Sequence, residues 1–408
     1  MSTTHMTNLD LSTPPVIKTI GRRSLVIGVV ASVIAIGLGF TNPQVFFRGY
    51  LLSFMDWLGI CLGSMAILMI RHMTGGGWGM VIRRVLGASM RTLPLMFFLF
   101  LPLGFFGVSR LYPWAMARDA IQDPRIREHL DHNQFVISGY LNVKGFWLRA
   151  IVYFAIWGLI VFLLSKWSAE QNQPPVRDNS ARFKAVSGPG LILFAFTISF
   201  AAIDWVMSLD PSWISTIYGL LFVAGELLAG LAFAIVIERI LFRYKPMSLL
   251  LRPDFVHDHG KFMLTFIMVW AYFSFSQWLI IWSGNLPEEI TWYIRRLGGG
   301  WGLVGLFIVI FHFAVPFAVL LSRPLKRDVT KLVWVAVWML FMRYVDLFWH
   351  IEPTFSATFT VTWADLVIPF AMGGLWLAYF CRNLSSLPLL PQYDVYAKQV
   401  LEPEHQHA

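Results

Sequence analysis

The sequence is short of two things that most redox or soluble proteins need. It has two cysteines, Cys61 and Cys381, in 408 residues. An iron–sulfur cluster takes about four thiolates, and covalent haem takes the pattern C-x-x-C-H, so this chain can build neither. Any redox role would run through a quinone, a non-covalent cofactor or a partner subunit. Charge is scarce too: Asp, Glu, Lys and Arg make up 13% of the chain, about half the share of a soluble domain.

Apolar residues take their place, with 57% hydrophobic and 16% aromatic and a mean hydropathy of +0.62. A globular fold cannot hide that much apolar surface, so the chain belongs in a bilayer. This excludes a cytosolic enzyme, a disordered scaffold and a nucleic-acid module. The formal charge of +9 does not argue otherwise, because the basic residues sit between apolar runs, where loops explain them.

Ten runs are long enough to cross a membrane, which takes about 20 residues each: 24–40, 49–70, 92–110, 146–165, 189–208, 215–237, 262–282, 302–321, 332–350 and 361–380. No small-residue cleavage site follows the first, which therefore reads as a span and not a signal peptide. Open backbone cannot face lipid, so each span should be a helix, and the expected fold is an all-α integral membrane protein. Residues 1–23 read as a polar N-terminal tail, 24–380 as the membrane domain and 381–408 as a C-terminal tail. Twenty-two Lys and Arg fall on the side of the termini and nine on the other, with Arg343 inside span 9. The positive-inside rule then puts both termini in the cytoplasm. The longest outer loop, 111–145, mixes Asp119, Asp123, Glu128 and Asp131 with basic residues, as in either a solvated connection or a docking surface for a partner.

Spans 5 and 9 end alike. Asp204 to Trp213 and Asp346 to Phe355 both read D-x5-[D/E]-P-[S/T]-aromatic, 142 residues apart. An acidic residue before Pro is a common helix stop, but that does not explain an Asp six residues deeper in both. The match predicts a parallel repeat of two four-helix bundles, spans 2–5 and 6–9, flanked by spans 1 and 10.

Ionisable groups in lipid cost several kcal/mol and are functional candidates by default. They are Asp56 in span 2, Asp204 in span 5, Glu226 in span 6, His312 in span 8, and Arg343, Asp346 and His350 in span 9; Asp365, at the start of span 10, reads as interfacial and solvated. Glu226 and His312 lie about ten residues from the outer ends of their spans, about 15 Å deep and near the midplane. Arg343, Asp346 and His350 are spaced i, i+3, i+7 and share a helix face. An Arg–Asp pair is open to a structural reading, whereas a string of carboxyls and imidazoles can pass protons. His312 and His350 sit at depths differing by roughly 15 Å, which argues against a bis-His haem. Trp57, Trp205, Trp213 and Trp292 read as an interfacial aromatic belt, and the runs Gly75–Gly77 and Gly298–Gly300 as flexible turns.

Three stretches carry a family resemblance. They are Trp57-Leu58-Gly59 through Arg71-His72-Met73-Thr74-Gly75-Gly76 with Arg91-Thr92-Leu93-Pro94, then Ala202-Ile203-Asp204-Trp205-Val206-Met207-Ser208-Leu209-Asp210-Pro211, and Phe275-Ser276-Gln277 through Ile281-Trp282-Ser283-Gly284-Asn285-Leu286-Pro287-Glu288-Glu289. With ten spans and a doubled bundle, the chain resembles the NrfD-like membrane subunits of the polysulfide-reductase type. It is most similar to the shorter, ActF-type subunit of alternative complex III, a quinol:electron-acceptor oxidoreductase. The resemblance implies the bacterial inner membrane and three kinds of partner: a longer NrfD-like subunit, an iron–sulfur protein and c-type haem subunits. It implies that haem c and the iron–sulfur clusters reside in those partners, with no cofactor bound covalently here and a quinone or quinol left open. The subunit would then form a quinone-facing or proton-conducting bundle without redox centres of its own. Two other classes fit the same residues: an ion-coupled secondary transporter, which also uses repeats and midplane carboxylates, and a non-catalytic membrane anchor. Spans 5, 6, 7 and 9 read as lacking an internal Pro, against the broken helices of a transporter site.

Overall fold

The computed structural model describes residues 12–117, 119, 121, 124–132, 136, 139–171, 178–390 and 394. Among them there is no strand, and ten helices are long and apolar enough to cross a membrane. These are α1 (Pro15–Thr41), α2 (Pro43–Thr74), α3 (Trp78–Leu111), α4 (Val143–Glu170), α5 (Ser180–Leu209), α6 (Tyr218–Leu241), α7 (Pro253–Gly284), α8 (Trp301–Leu320), α9 (Val329–Thr354) and α10 (Trp363–Leu384). The chain is thus an all-α, multi-pass membrane protein. Most of the expected tail 381–408, and the loop residues Arg118 and Asp123, lie outside the described residues.

Local chemistry sets several helix starts. Asn42 accepts a hydrogen bond from the Val45 amide at the head of α2, and Asn142 one from the Gly145 amide at the head of α4. Asp328 accepts from the Thr330 amide before α9. Each satisfies an amide that has no partner inside its helix. Both glycine runs make turns: Gly75 and Gly76 between α2 and α3, and Gly299 and Gly300 before α8, all take positive φ, which glycine adopts without strain.

Several sequence expectations need correction. Helix α1 begins at Pro15, within the expected tail, because Lys18, Arg22 and Arg23 lower the local hydropathy without breaking the helix. Helix α5 begins at Ser180, so Pro189 lies inside it after all. Asp365 is buried, not solvated: its carboxylate accepts from the Thr362 amide and hydroxyl in a capping box. Trp205, Trp213 and Trp292 are core residues at 0–2% exposure, not a lipid-facing belt.

Helices α2 and α6 form the centre, 89% and 78% buried along their most apolar stretches. They pack on each other, α2 also on α3, α5, α9 and α10, and α6 also on α5, α7 and α9. At their crossing Gly63 and Gly230 bring backbone against backbone, and a Cβ on Gly63 would overlap the carbonyl of Glu226. Helix α1 pairs with α10 through a second close contact, Gly28 on Gly374. The Thr13 hydroxyl donates to the Leu384 carbonyl, so the start of the first helix and the end of the last meet on one face, called here the terminal face.

Candidate functional site

Helix α9 supplies the centre of the site. Arg343, Asp346 and His350 point into the protein and are 1–4% exposed. The Arg343 guanidinium donates from Nη1 to Asp346 Oδ2 at 2.6 Å, and His350 Nε2 stands 3.6 Å from Asp346 Oδ1. Trp270 on α7 donates its indole N–H to Asp346 at 3.3 Å, while its ring lies on the His312 imidazole, centroids 3.9 Å apart. Trp270 thereby joins the α8 histidine to the α9 carboxylate. Arg343 reaches α6 because residue 225 is glycine: a Cβ there would collide with the guanidinium. Next to it Glu226 turns toward α2, its Cγ 3.3 Å from where a Cβ on Gly59 would stand.

Arg343 is the electrostatic hub. It is close enough to act on Asp56, Glu226, His312, Asp346 and His350. A buried cation among carboxyls lowers the cost of each ionised form. Half of this apparatus is unsatisfied. Glu226 Oε2, both ring nitrogens of His312 and Nδ1 of His350 are buried without a hydrogen-bond partner among the described residues. Buried polar atoms are normally paired with protein or ordered water. His312 also sits in a π-helical segment, Val309–Ala314, that interrupts α8 just before Pro316, and such segments often mark functional positions.

Toward the face opposite the termini the cluster is closed by Arg296 in the connecting helix Pro287–Leu297. Its guanidinium lies over the Trp292 ring at 3.5 Å and donates to the carbonyl of His350 at 2.7 Å. Arg296 is fully buried, and that burial pushes its pKa down to about 9.

Asp204 stands apart. Its Oδ2 accepts from Arg149 Nε at 2.8 Å and from the Tyr153 hydroxyl at 2.7 Å, both on α4, and its Oδ1 has no hydrogen-bond partner among the described residues. Neither bonded neighbour belongs to the set of seven candidates. Arg149, counted above with the outer cations, is the counter-charge of this second cluster. Sequence reasoning missed Arg149, Tyr153, Trp270 and Gly225. Only Arg149 left a signal, as a cation in the first turns of the span preceding a buried Asp.

Further buried charge lies nearer the terminal face. His259 places Nε2 at 2.9 Å from the Trp78 carbonyl and Nδ1 at 3.0 Å from Glu238. A carbonyl only accepts, so Nε2 is the donor there and Nδ1 faces the carboxylate. Arg71 and Arg83, expected in loops, are buried and share Asp394 of the C-terminal segment.

A quinone head group would need an open slot beside its hydrogen-bond donors. Glu226 and His312, which carry unpaired atoms, are 0–1% exposed, so these two residues offer a quinone no open slot. Among the described residues, no three His, Cys, Asp or Glu converge as metal ligands. No family model matches this chain, and no curated protein matches its sequence.

Proposed function

We propose that the chain is a proton-conducting membrane subunit of a quinol:electron-acceptor oxidoreductase of the alternative complex III type. Quinol oxidation and all redox centres belong to its partners: the longer NrfD-like subunit, the iron–sulfur protein and the c-haem subunits. The carrying observation is the Arg343-centred cluster, in which a carboxyl near mid-depth, Glu226, and two imidazoles present buried, unpaired proton-accepting atoms along α6, α8 and α9. A membrane anchor has no need for such groups, each of which costs about 2.5 kcal/mol or more in lipid if charged.

Protons would pass between Glu226, His312 and Asp346–His350 over bridging water, with Arg343 holding the carboxyls in place. The Asp204–Arg149–Tyr153 cluster would be its counterpart in a first bundle, α2–α5, repeated as α6–α9. Two observations support that repeat: Asp204 and Asp346 are each buried against an arginine, and the following acids, Asp210 and Glu352, are both buried as well. The bacterial inner membrane, with the terminal face in the cytoplasm, completes the reading.

The π-helical break at His312 favours a second reading, an ion-coupled secondary transporter, since transporter sites gather at interrupted helices. Gentle purification with haem staining separates the two, because a transporter would arrive without c-type haem. The proton role is tested by Asp346→Asn combined with Glu226→Gln in the assembled complex. Assembly should persist while turnover or proton release falls. Wild-type turnover with wild-type proton stoichiometry would leave only the anchor reading.

A further inference from the structure

A cavity of about 80 Å³ opens on the terminal face between the end of α2, the first turns of α3 and the end of α4. Arg83, Arg84 and Arg91 line it, together with His72 and Ser168; of these Arg83 is paired with Asp394 and donates to Gln171. Arg83 and Arg84 are 3–5% exposed, so these cations are largely stripped of bulk water. Arg84 Nη1 donates to Ser168 Oγ at 2.9 Å, and Arg91 is held by the Asn383 carbonyl and the Ser386 hydroxyl. The arginines are thus positioned by neighbours and are not free to swing into solvent. Leu68, Met90, Leu164 and Leu387 line it as well, so most of its wall is apolar.

Gly87 stands at its edge. A glycine inside a helix costs about 1 kcal/mol relative to alanine, and a Cβ at this position would meet nothing within 4 Å. Packing therefore does not require glycine here; its effect is to keep the cavity open. A water needs roughly 10–15 Å³ of such space, so the volume suits a group of about five heavy atoms, the size of a phosphate. Arginine forks match phosphate oxygens bidentately, and basic pockets between spans at a membrane surface suit phospholipid head groups.

We infer that this cavity is a binding site for a phosphate-bearing anion, supplied either by an anionic phospholipid or as free phosphate. The inference does not depend on the proposed proton role. The purified full-length chain in detergent is titrated with dioleoylphosphatidylglycerol, with dioleoylphosphatidylcholine and with inorganic phosphate. Binding is read by native mass spectrometry and by the thermal midpoint. Phosphatidylglycerol should bind and stabilise. Phosphate binding as well would identify a general anion site, and its absence a lipid site. Arg84→Gln with Arg91→Gln should weaken binding about tenfold or more, the loss of one or two charge-assisted bonds. Should that variant not fold, Gly87→Leu decides alone, since it fills the cavity without removing an arginine. Equal binding of phosphatidylcholine, unchanged binding by Gly87→Leu, or no bound anion at all would overturn the inference.

Discussion

Gly225→Ala is the smallest change that should disable the site without unfolding it. The added Cβ would stand 2.9 Å from Arg343 Nε and closer still to Cζ and Nη1, against 3.4–4 Å for ordinary contact. The obstacle is the end of a side chain and not a backbone, so α6 and α9 need not part. Instead the guanidinium must retreat by roughly 1 Å. Its bond to Asp346 is 2.6 Å long, and a retreat of that size takes it past hydrogen-bonding distance. A hydrogen bond to a charged group contributes about 1.5–3 kcal/mol, equivalent to roughly a 10- to 150-fold change in an equilibrium. The expected result, in the assembled complex, is turnover or proton release lowered by about that range with assembly intact. The matched control is Gly158→Ala, where a Cβ meets nothing within 4 Å; it should leave both readings unchanged. Wild-type activity in Gly225→Ala would mean that the Arg343–Asp346 geometry has no part in function.

Gly63→Ala should be worse for the fold than for the chemistry. The obstacle there is the Glu226 carbonyl on a facing helix, and overpacking of this kind costs about 1–3 kcal/mol, visible as a lower thermal midpoint in detergent. A C-terminal fluorescent tag should glow in the cytoplasm and a C-terminal phosphatase fusion should be inactive; the opposite pair of results would reverse the orientation. In an experimental structure of the complex, superposing α2–α5 on α6–α9 should bring Asp204 within about one helical turn, 5.4 Å, of Asp346, and a larger offset would make the sequence match a coincidence. Asp328, outside the spans, has its pKa lowered by the Thr330 hydroxyl and amide. Its capping contribution is therefore present above the carboxylate's unfolded pKa and lost as pH falls through the lower folded value. Asp328→Ala should remove that acid-side loss in a pH series of thermal midpoints.

The ten spans were legible because a bilayer demands an uninterrupted apolar run, a property of neighbouring residues. Their ends were less so: α7 begins at Pro253, nine residues before the apolar run, since Asp254, His257 and Asp258 depress hydropathy while the helix continues. All seven candidate residues fall within the spans, and five of them gather around a sixth, Arg343. What could not be read was pairing. Arg71 and Arg83 looked like loop charges because Asp394 lies more than 300 residues away in the chain. Asp204 looked like a member of the α9 set because nothing linear ties it to Arg149. The burial of Trp205, Trp213 and Trp292 also depends on helices distant in sequence, and hydropathy alone treats an indole in the core and one at the interface alike.

The pairing of α1 with α10 sets a timetable for biogenesis. Of the ten spans, helix α1 leaves the ribosome before the other nine and its main partner after them, with residues 42–362 synthesised in between. At about 5–20 residues per second, that interval is on the order of tens of seconds. Throughout it α1 must stay in the lipid nearly unaccompanied. Its composition suits that wait: only 22% of its apolar stretch is buried even in the finished protein, and Leu25, Val26, Val29, Val30 and Val33 remain an outward-facing aliphatic surface.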